Sequence, residues 1–333
     1  MSPSAEVVRV SVLDRANARA GADESEVMWD VIARAQRLES LGYSRIWVAE
    51  HHGVPGIVGS EPALLMGAIC ASTSDIRVGS AGFMLPAHSP LSVAERISTL
   101  EALYPGRIDV GLGRSVGFTQ SVREALRQRK DAGSSFPEDL AEVQGYLAGR
   151  AEITMQPPNN AATPLYVLAH GASLDFAAAA GLGVVVGGPS LLHSQPGDKH
   201  AGLERYRRTF APSRWFAEPS VVVSVPIAIA DSTERARELL LPEAWTLAVS
   251  RTTGSFDPLQ PAANLDESLL GDRERERVEA NFASAIYGTP DKVRERILTL
   301  LGYTGSTEVL ASGGMHDLEG QQRSDELLAG LFG

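Results

Sequence analysis

Three short apolar runs in the first third of the chain each end abruptly in polar or glycine-rich residues. Residues 46–48 run into Glu50-His51-His52, residues 76–78 into Gly79-Ser80-Ala81-Gly82, and residues 108–110 into Gly111-Leu112-Gly113-Arg114. Helical patterns separate the runs. Within residues 28–40, Val31, Ile32, Ala35 and Leu38 fall on one face. Residues 61–72 and 90–104 read as further helices, with Pro90 near the start of the second and Pro105-Gly106 ending it. Buried strands that alternate with helices and carry polar residues at their C-terminal ends describe a (β/α) barrel with its active site on one rim.

The rest of the chain continues the rhythm. Strands are expected at residues 7–13, with Asp14 at the end, and at 45–48, 77–82 and 108–113. Residues 119–149 hold two helical segments around Gly133-Ser134-Ser135, and 156–163 is a loop with paired Pro and Asn. Strands at 165–169 and 184–186 flank an alanine-rich helix. A seventh strand is expected at 221–230, broken or turned at Pro226, and an eighth at 308–311, followed by a closing helix near 325–331. This is an α/β chain forming a (β/α)8 TIM barrel as one domain over residues 1–333. Residues 252–277 interrupt the pattern with Gly254, Pro258 and Pro261 and then the charge run 272–277. A long insertion on the side where strands end is a candidate lid; the plainer reading is a solvated loop followed by a salt-bridged helix face.

Composition narrows the function classes. Hydrophobic residues make up 44% and charged residues 21%, as in a globular chain with a full core. A net charge of -11 argues against a nucleic-acid or anionic-membrane surface. The single cysteine, Cys70, excludes an intrachain disulfide and fits a reducing compartment, so a cytoplasmic protein is expected. No apolar run reaches the ~20 residues of a membrane helix, and the opening M-S-P-S-A-E does not read as a signal peptide.

Chemistry is expected where the strands end. His51 and His52 follow the second strand; adjacent side chains on extended backbone point to opposite sides, so one faces the pocket while the other supports it. A neutral imidazole there can act as base or donor, or simply be satisfied by loop backbone. The pair has the wrong spacing to share a metal with His88 and Glu50, and no metal is expected. Arg114 ends G-L-G-R, where glycines permit close backbone approach and a guanidinium offers a planar fork for phosphate or for a neighbouring carboxylate. Arg107 sits on the opposite rim and reads as structural. The turn His170-Gly171-Ala172-Ser173 opens a helix, a ready anion site or a plain cap. The small residues at Ser80, Ala81 and Gly82 leave room for a flat ring, or mark a bulge. No G-x-G-x-x-G opens a βαβ unit near the N-terminus, which leaves no Rossmann pocket for FAD or NAD.

The wording of these strand ends resembles the bacterial luciferase-like flavin monooxygenases, in particular their single-chain, alkanal-monooxygenase-like branch. L-G-Y, E-H-H, G-x-x-L-P, A-E-R-I-x-T-L-E-A-L-Y-P-G-R-I-D-x-G-L-G-R and the late Y-G-T-P all follow that pattern, most densely over residues 38–117. The resemblance implies a luciferase-like barrel. It gives His51 a part in proton transfer and has Arg114 with the 171–173 turn bind the cofactor phosphate. His170 and Gly171 depart from the family's Ser/Thr-rich turn. A non-proline cis peptide at Ala81-Gly82 would lie under the flavin ring. The implied reaction takes reduced FMN from a separate flavin reductase, adds O2 to give a peroxyflavin, and puts one oxygen atom on an aldehyde, ketone or aromatic substrate. Two alternatives stay open: a reduced deazaflavin coenzyme doing hydride transfer on the same fold, and a non-catalytic flavin-binding or partner subunit. The resemblance also implies a homodimer through helices 61–72 and 90–104, and a mobile 252–277 segment. Substrate-pocket walls are expected from 54–60, 115–121 and 187–195.

Overall fold

The computed structural model describes residues 8–128, 133–159, 161–192 and 197–332. Val7 of the expected first strand, residues 129–132, Asn160 and residues 193–195 of the third wall stretch lie outside the described residues. The strands are β1 (Arg9–Asp14), β2 (Arg45–Val48), β3 (Arg77–Met84), β4 (Ile108–Gly113), β5 (Leu165–Leu168), β6 (Gly183–Gly187), β7 (Val221–Ile229), β8 (Ile286–Gly288) and β9 (Glu308–Ser312). All pairings between them are parallel. β1 through β7 pair in sequence, β7 then pairs with β9, and β9 with β1, which closes an eight-stranded barrel and leaves β8 as a short branch on β7.

The helices outside are α1 (Glu24–Ser40), α2 (Pro62–Ser72), α3 (Pro90–Leu103), α4 (Gln120–Ala125), α5 (Phe136–Leu147), α6 (Ser173–Ala180), α7 (Ala201–Thr209), α8 (Thr233–Thr253), α9 (Asp272–Ala283), α10 (Pro290–Thr304) and α11 (Leu318–Gly330). Among the described residues no helix is long and apolar enough to cross a membrane.

Local chemistry explains where expectation and structure differ. α1 starts at Glu24, ahead of its apolar stripe, because Asp23 caps it by accepting from the Ser25 N–H at 2.9 Å. β7 is not broken at Pro226. It runs unbroken for nine residues, and Pro226, opposite Ser312, stands where its partner changes from β9 to β8. A residue with no N–H to donate is tolerated at such a hand-over. α11 begins at Leu318, well before residue 325, capped by Asp317. The charge run 272–277 is the first half of α9.

Strand alternation sorts the core into two layers. Val10, Val12, Ile46, Val48, Val78, Ile108, Val110, Leu165 and Val167 point outward and pack under the helices. Trp47, Tyr166, Val185, Val222 and Leu310 point into the barrel. A Cβ on Gly79 would collide with the Trp47 ring, so the glycine makes room for the indole.

Below Trp47, toward the strand N-termini, the lumen holds charge. Arg45 is buried and donates to Glu308 at 3.0 Å and to the Tyr166 hydroxyl at 3.2 Å, and lies 3.1 Å from Asp109. Arg77 forks onto Asp109 with two bonds of 2.8 Å, and the Ser11 hydroxyl donates to Glu308 at 2.8 Å. Burial opposes the charge on Arg45, but Asp109, Tyr166 and Glu308 outweigh it and hold the guanidinium protonated. The layer joins β1, β2, β3, β4, β5 and β9 across the barrel axis.

Removing the cation should leave Glu308 and Asp109 as poorly compensated buried carboxylates. Arg45→Ala is expected to lower the unfolding free energy by about 3–5 kcal/mol, read from denaturant midpoints. A loss below about 1 kcal/mol would show that the layer does not hold the barrel.

Candidate active site

A cavity of about 670 Å³ opens at the C-terminal mouth of the barrel. Its floor is formed by inward positions of the strands and kept low by small residues: Ala81, Gly82, Gly113 and Gly187. A Cβ on Gly82 would lie 2.5 Å from the Gly111 carbonyl oxygen, so the glycine is required by the neighbouring strand. The Ala81-Gly82 peptide is cis, and the β3–β4 register shifts between Ala81 and Phe83. A second cleft of about 220 Å³ lies beside the barrel between α1 and α11. Three of its four arginines, Arg15, Arg19 and Arg34, are paired with carboxylates and the cleft is the smaller of the two, so the barrel mouth is the better candidate.

His51 enters this cavity from the end of β2, whereas His52 does not line it. The His51 ring lies nearly parallel to Phe118, with centroids 6.1 Å apart and planes at 27°. Its Nδ1 is buried without a partner. Nε2 makes no hydrogen bond among the described residues and is not closed off, so it is the nitrogen open to a ligand. Burial, and then the nearby Arg15 cation, pull the His51 pKa from 6.5 to about 4, so the ring is neutral near neutral pH.

His52 turns to the other side and meets Glu50. Glu50 Oε1 accepts from Nε2 of His52 at 2.6 Å and from Nε2 of His88 at 2.7 Å, and its Oε2 accepts from the Met84 N–H at 2.8 Å. Burial alone would raise the Glu50 pKa, yet the bonds from His88, His52 and Met84 hold it below the usual carboxylate value. Ligand atoms of Glu50, His52 and His88 lie within 4.8 Å of one another, a spacing a metal ion could use. Arg96, however, approaches Nδ1 of His88 at 3.0 Å. A guanidinium can only donate, so Nδ1 accepts and the ring proton sits on Nε2, pointing at Glu50 where a metal would need a lone pair.

Arg114 and His170 form the opposite corner. Arg114 stands exposed at the end of β4 and donates to Nε2 of His170 at 3.1 Å. Among the described residues it has no carboxylate partner. His170 lines the cavity, whereas Gly171, Ala172 and Ser173 do not, and Gly171 and Ala172 are exposed beside it. The Ser173 hydroxyl is engaged within the turn, accepting from the His170 N–H at 2.9 Å and donating to the His170 carbonyl at 2.7 Å. The N–H groups of Gly171 and Ala172 donate to nothing among the described residues.

Not every candidate reaches the cavity. Ser80 points outward by strand alternation; its hydroxyl donates to the Gly111 carbonyl at 3.0 Å and accepts from the Gly111 N–H at 3.1 Å. Arg107 stays on the far rim, donating to backbone carbonyls of Cys70, Thr73 and Ile76. Residues 252–277 contribute no side chain to the cavity. Backbone bonds pin Leu259 to Ala18 and Ala20, and Phe256 to Gly56. Phe118 falls in the wall stretch expected at 115–121 and Met84 within G-x-x-L-P, whereas Arg15, which acts on His51, had no motif to mark it. The Glu50–His52 pair had one: residues two apart on extended backbone share a side.

A parallel barrel with a glycine-lined mouth, a neutral histidine on one wall and, on another, an arginine without a carboxylate partner among the described residues has the layout in which (β/α)8-barrel enzymes place their ligand sites. The chain belongs to the luciferase-like monooxygenase family, whose model matches residues 8–308. A luciferase-like monooxygenase of Escherichia coli (strain K12) is 33% identical over 327 residues, covering 96% of each chain. The crystal structure of apo-MsnO8 superposes with a TM-score of 0.86 at 28% identity, covering 98% of both chains. The oxygenating constituent of 3,6-diketocamphane monooxygenase from the CAM plasmid of Pseudomonas putida, in complex with FMN, has a TM-score of 0.70 at 18% identity over 97% of each chain, a likeness of fold alone.

The environment of His51 makes stability depend on pH in a definite direction. The folded chain keeps the ring neutral down to about pH 4, whereas the unfolded chain protonates it near 6.5. Between those values the unfolded state binds the extra proton, so the contribution is whole above pH 6.5 and is lost as pH falls toward 4. The stability of wild type relative to His51→Gln should therefore fall by up to about 3 kcal/mol from pH 7 to pH 4. A flat difference across that range would mean the ring is not held neutral.

Proposed function

We propose that the chain is an FMN-dependent monooxygenase, using reduced FMN from a separate reductase and O2 to put one oxygen atom on an aldehyde, ketone or aromatic substrate. The observation that carries this reading is the order of groups across the cavity. A side-chain-poor floor at Ala81, Gly82 and Gly113 lies between the Arg114–His170 corner and the neutral His51. That floor suits a flat ring. The corner suits a phosphate, with two nitrogen-donor side chains and the N–H groups of Gly171 and Ala172. Bound reduced flavin would supply the electrons that activate O2.

The protein's own residues then divide the remaining work. Arg114 and His170 bind the phosphate and fix which way the ring lies. Ser80 braces the floor from behind through Gly111. Phe118 and Met84 keep water from the apolar part of the cavity. His51 accepts one proton at Nε2 as a neutral base and passes it on; its low affinity for that proton keeps the imidazolium short-lived.

Titration with FMN, riboflavin and a deazaflavin, each oxidised and reduced, tests the cofactor. Arg114→Ala should weaken FMN binding by about 10-fold or more and leave riboflavin nearly unchanged. Equal losses for both ligands would take Arg114 out of the phosphate role. Tight binding of the reduced deazaflavin, without oxygen uptake in the presence of reduced FMN, would replace this reading by hydride transfer.

A homodimer through α2 and α3 belongs to the same reading. α2 is apolar on more than its barrel face, and Leu64 and Leu103 are 74% and 64% exposed. Sedimentation at micromolar concentration should give the dimer mass, and a sharp monomer boundary would refute the assignment.

A further inference from the structure

Glu50 is a charged group that the proposed chemistry leaves without a part. Glu50 borders the cavity, but its side chain is 0% exposed and both oxygens are engaged by neighbours, so the carboxylate does not meet a ligand as a base or nucleophile. An ionised carboxylate is costly to bury unless every acceptor site is engaged. Here three donors converge on it from three parts of the chain: His52 just beyond β2, Met84 at the end of β3, and His88 ahead of α3. Arg96, itself 3.6 Å from Glu61, fixes the His88 tautomer that makes this possible.

Two features tie this hub to the cavity. Glu50 and His52 flank His51 in sequence and are bonded to each other, while the His51 N–H donates to the Gly59 carbonyl at 2.9 Å. The backbone at residue 51 is therefore held on both sides, and its side chain is sent the opposite way. Met84 comes two residues after Gly82, so the same carboxylate also anchors the strand end that forms the cavity floor.

We propose that Glu50 is a positioning residue: by gathering His52, His88 and the Met84 N–H onto one buried carboxylate, it sets the direction and distance of His51 relative to the cavity floor. The inference rests on the reading of His51 as the proton-handling residue. It makes Glu50 act through His51 and not on the ligand. It also accounts for two histidines that sit beside the cavity without facing it.

The test combines a double-mutant cycle with a measurement that needs no turnover. Glu50→Gln keeps the shape but has one acceptor oxygen for three donors and adds an N–H of its own. With the flavin-loaded enzyme it should lower kcat by about 10- to 100-fold and change KM by no more than a few-fold. In a His51→Ala background the same substitution should change kcat less than about twofold, because the residue it acts through is gone. Losses that multiply across the cycle would overturn the proposal. Independently, ring-nitrogen NMR of histidine-labelled protein without flavin should show the His51 signals and their titration displaced in Glu50→Gln, with His200 and His316 unmoved. Unmoved His51 signals would overturn the proposal even if the chain proved not to be a monooxygenase; displaced signals would sustain it whatever the reaction. If Glu50→Gln fails to fold, His88→Gln removes one donor of the same hub and must give the same displacement and the same lack of additivity.

Discussion

The barrel depends on a buried cation. Arg45 crosses the lumen from β2 and meets Glu308 from β9, Asp109 from β4 and the Tyr166 hydroxyl from β5. A parallel barrel closes only if its first and last strands find the right register, and hydrophobic packing is indifferent to a slip of two residues. The ion pairs are not indifferent. A two-residue slip of β9 would carry Glu308 away from Arg45 and from the Ser11 hydroxyl, leaving charge unpaired in the interior. The register Arg9↔Glu308 and Ser11↔Arg45 is the one that satisfies all of them.

What lies above that layer follows from size. Trp47 and Tyr166 fill the middle of the lumen edge to face, with ring centroids 5.4 Å apart. Above them the floor residues become Ala81, Gly82, Gly113 and Gly187, and the packed core gives way to a cavity. The transition from plug to pocket is thus a change in side-chain volume along the strands, accompanied in β3 by the register shift between Ala81 and Phe83. It places the cavity at the strand C-termini, where loops rather than ladder-bound residues supply the walls.

The cavity's electrostatics run against the charge of the whole molecule. The chain carries a net charge of -11, yet Arg114 stands at the mouth with no carboxylate partner among the described residues, and Arg15 lies close enough to His51 to disfavour its protonation. Among the described residues the one carboxylate that borders the cavity, Glu50, is screened by three donors. Cationic and neutral groups therefore face the space, a field that favours an anionic ligand entering from an otherwise acidic surface.

Much of this was legible in the sequence because it depends on local spacing. Alternating apolar runs and amphipathic stretches determine strands and helices wherever both faces of a strand are buried, and β2 and β4 lie where the pattern puts them. Polar residues after such runs locate the rim, and the alternation of adjacent side chains separates His51 from His52. The same alternation, applied one residue further, turns Ser80 away from the cavity, which the run of small residues obscured. Other features needed the third dimension. The lumen layer joins residues as far apart as Ser11 and Glu308, each ordinary in its own segment. The convergence of His88 and Met84 on Glu50 depends on three strand and helix ends meeting at one point. Pro226 reads as a break in sequence, and only the partner exchange between β9 and β8 explains why the strand continues through it. Periodicity decides which way a side chain faces, because that is a property of the local backbone; which charges it meets there is decided by chain closure, because partners distant in sequence are brought together only by the completed barrel.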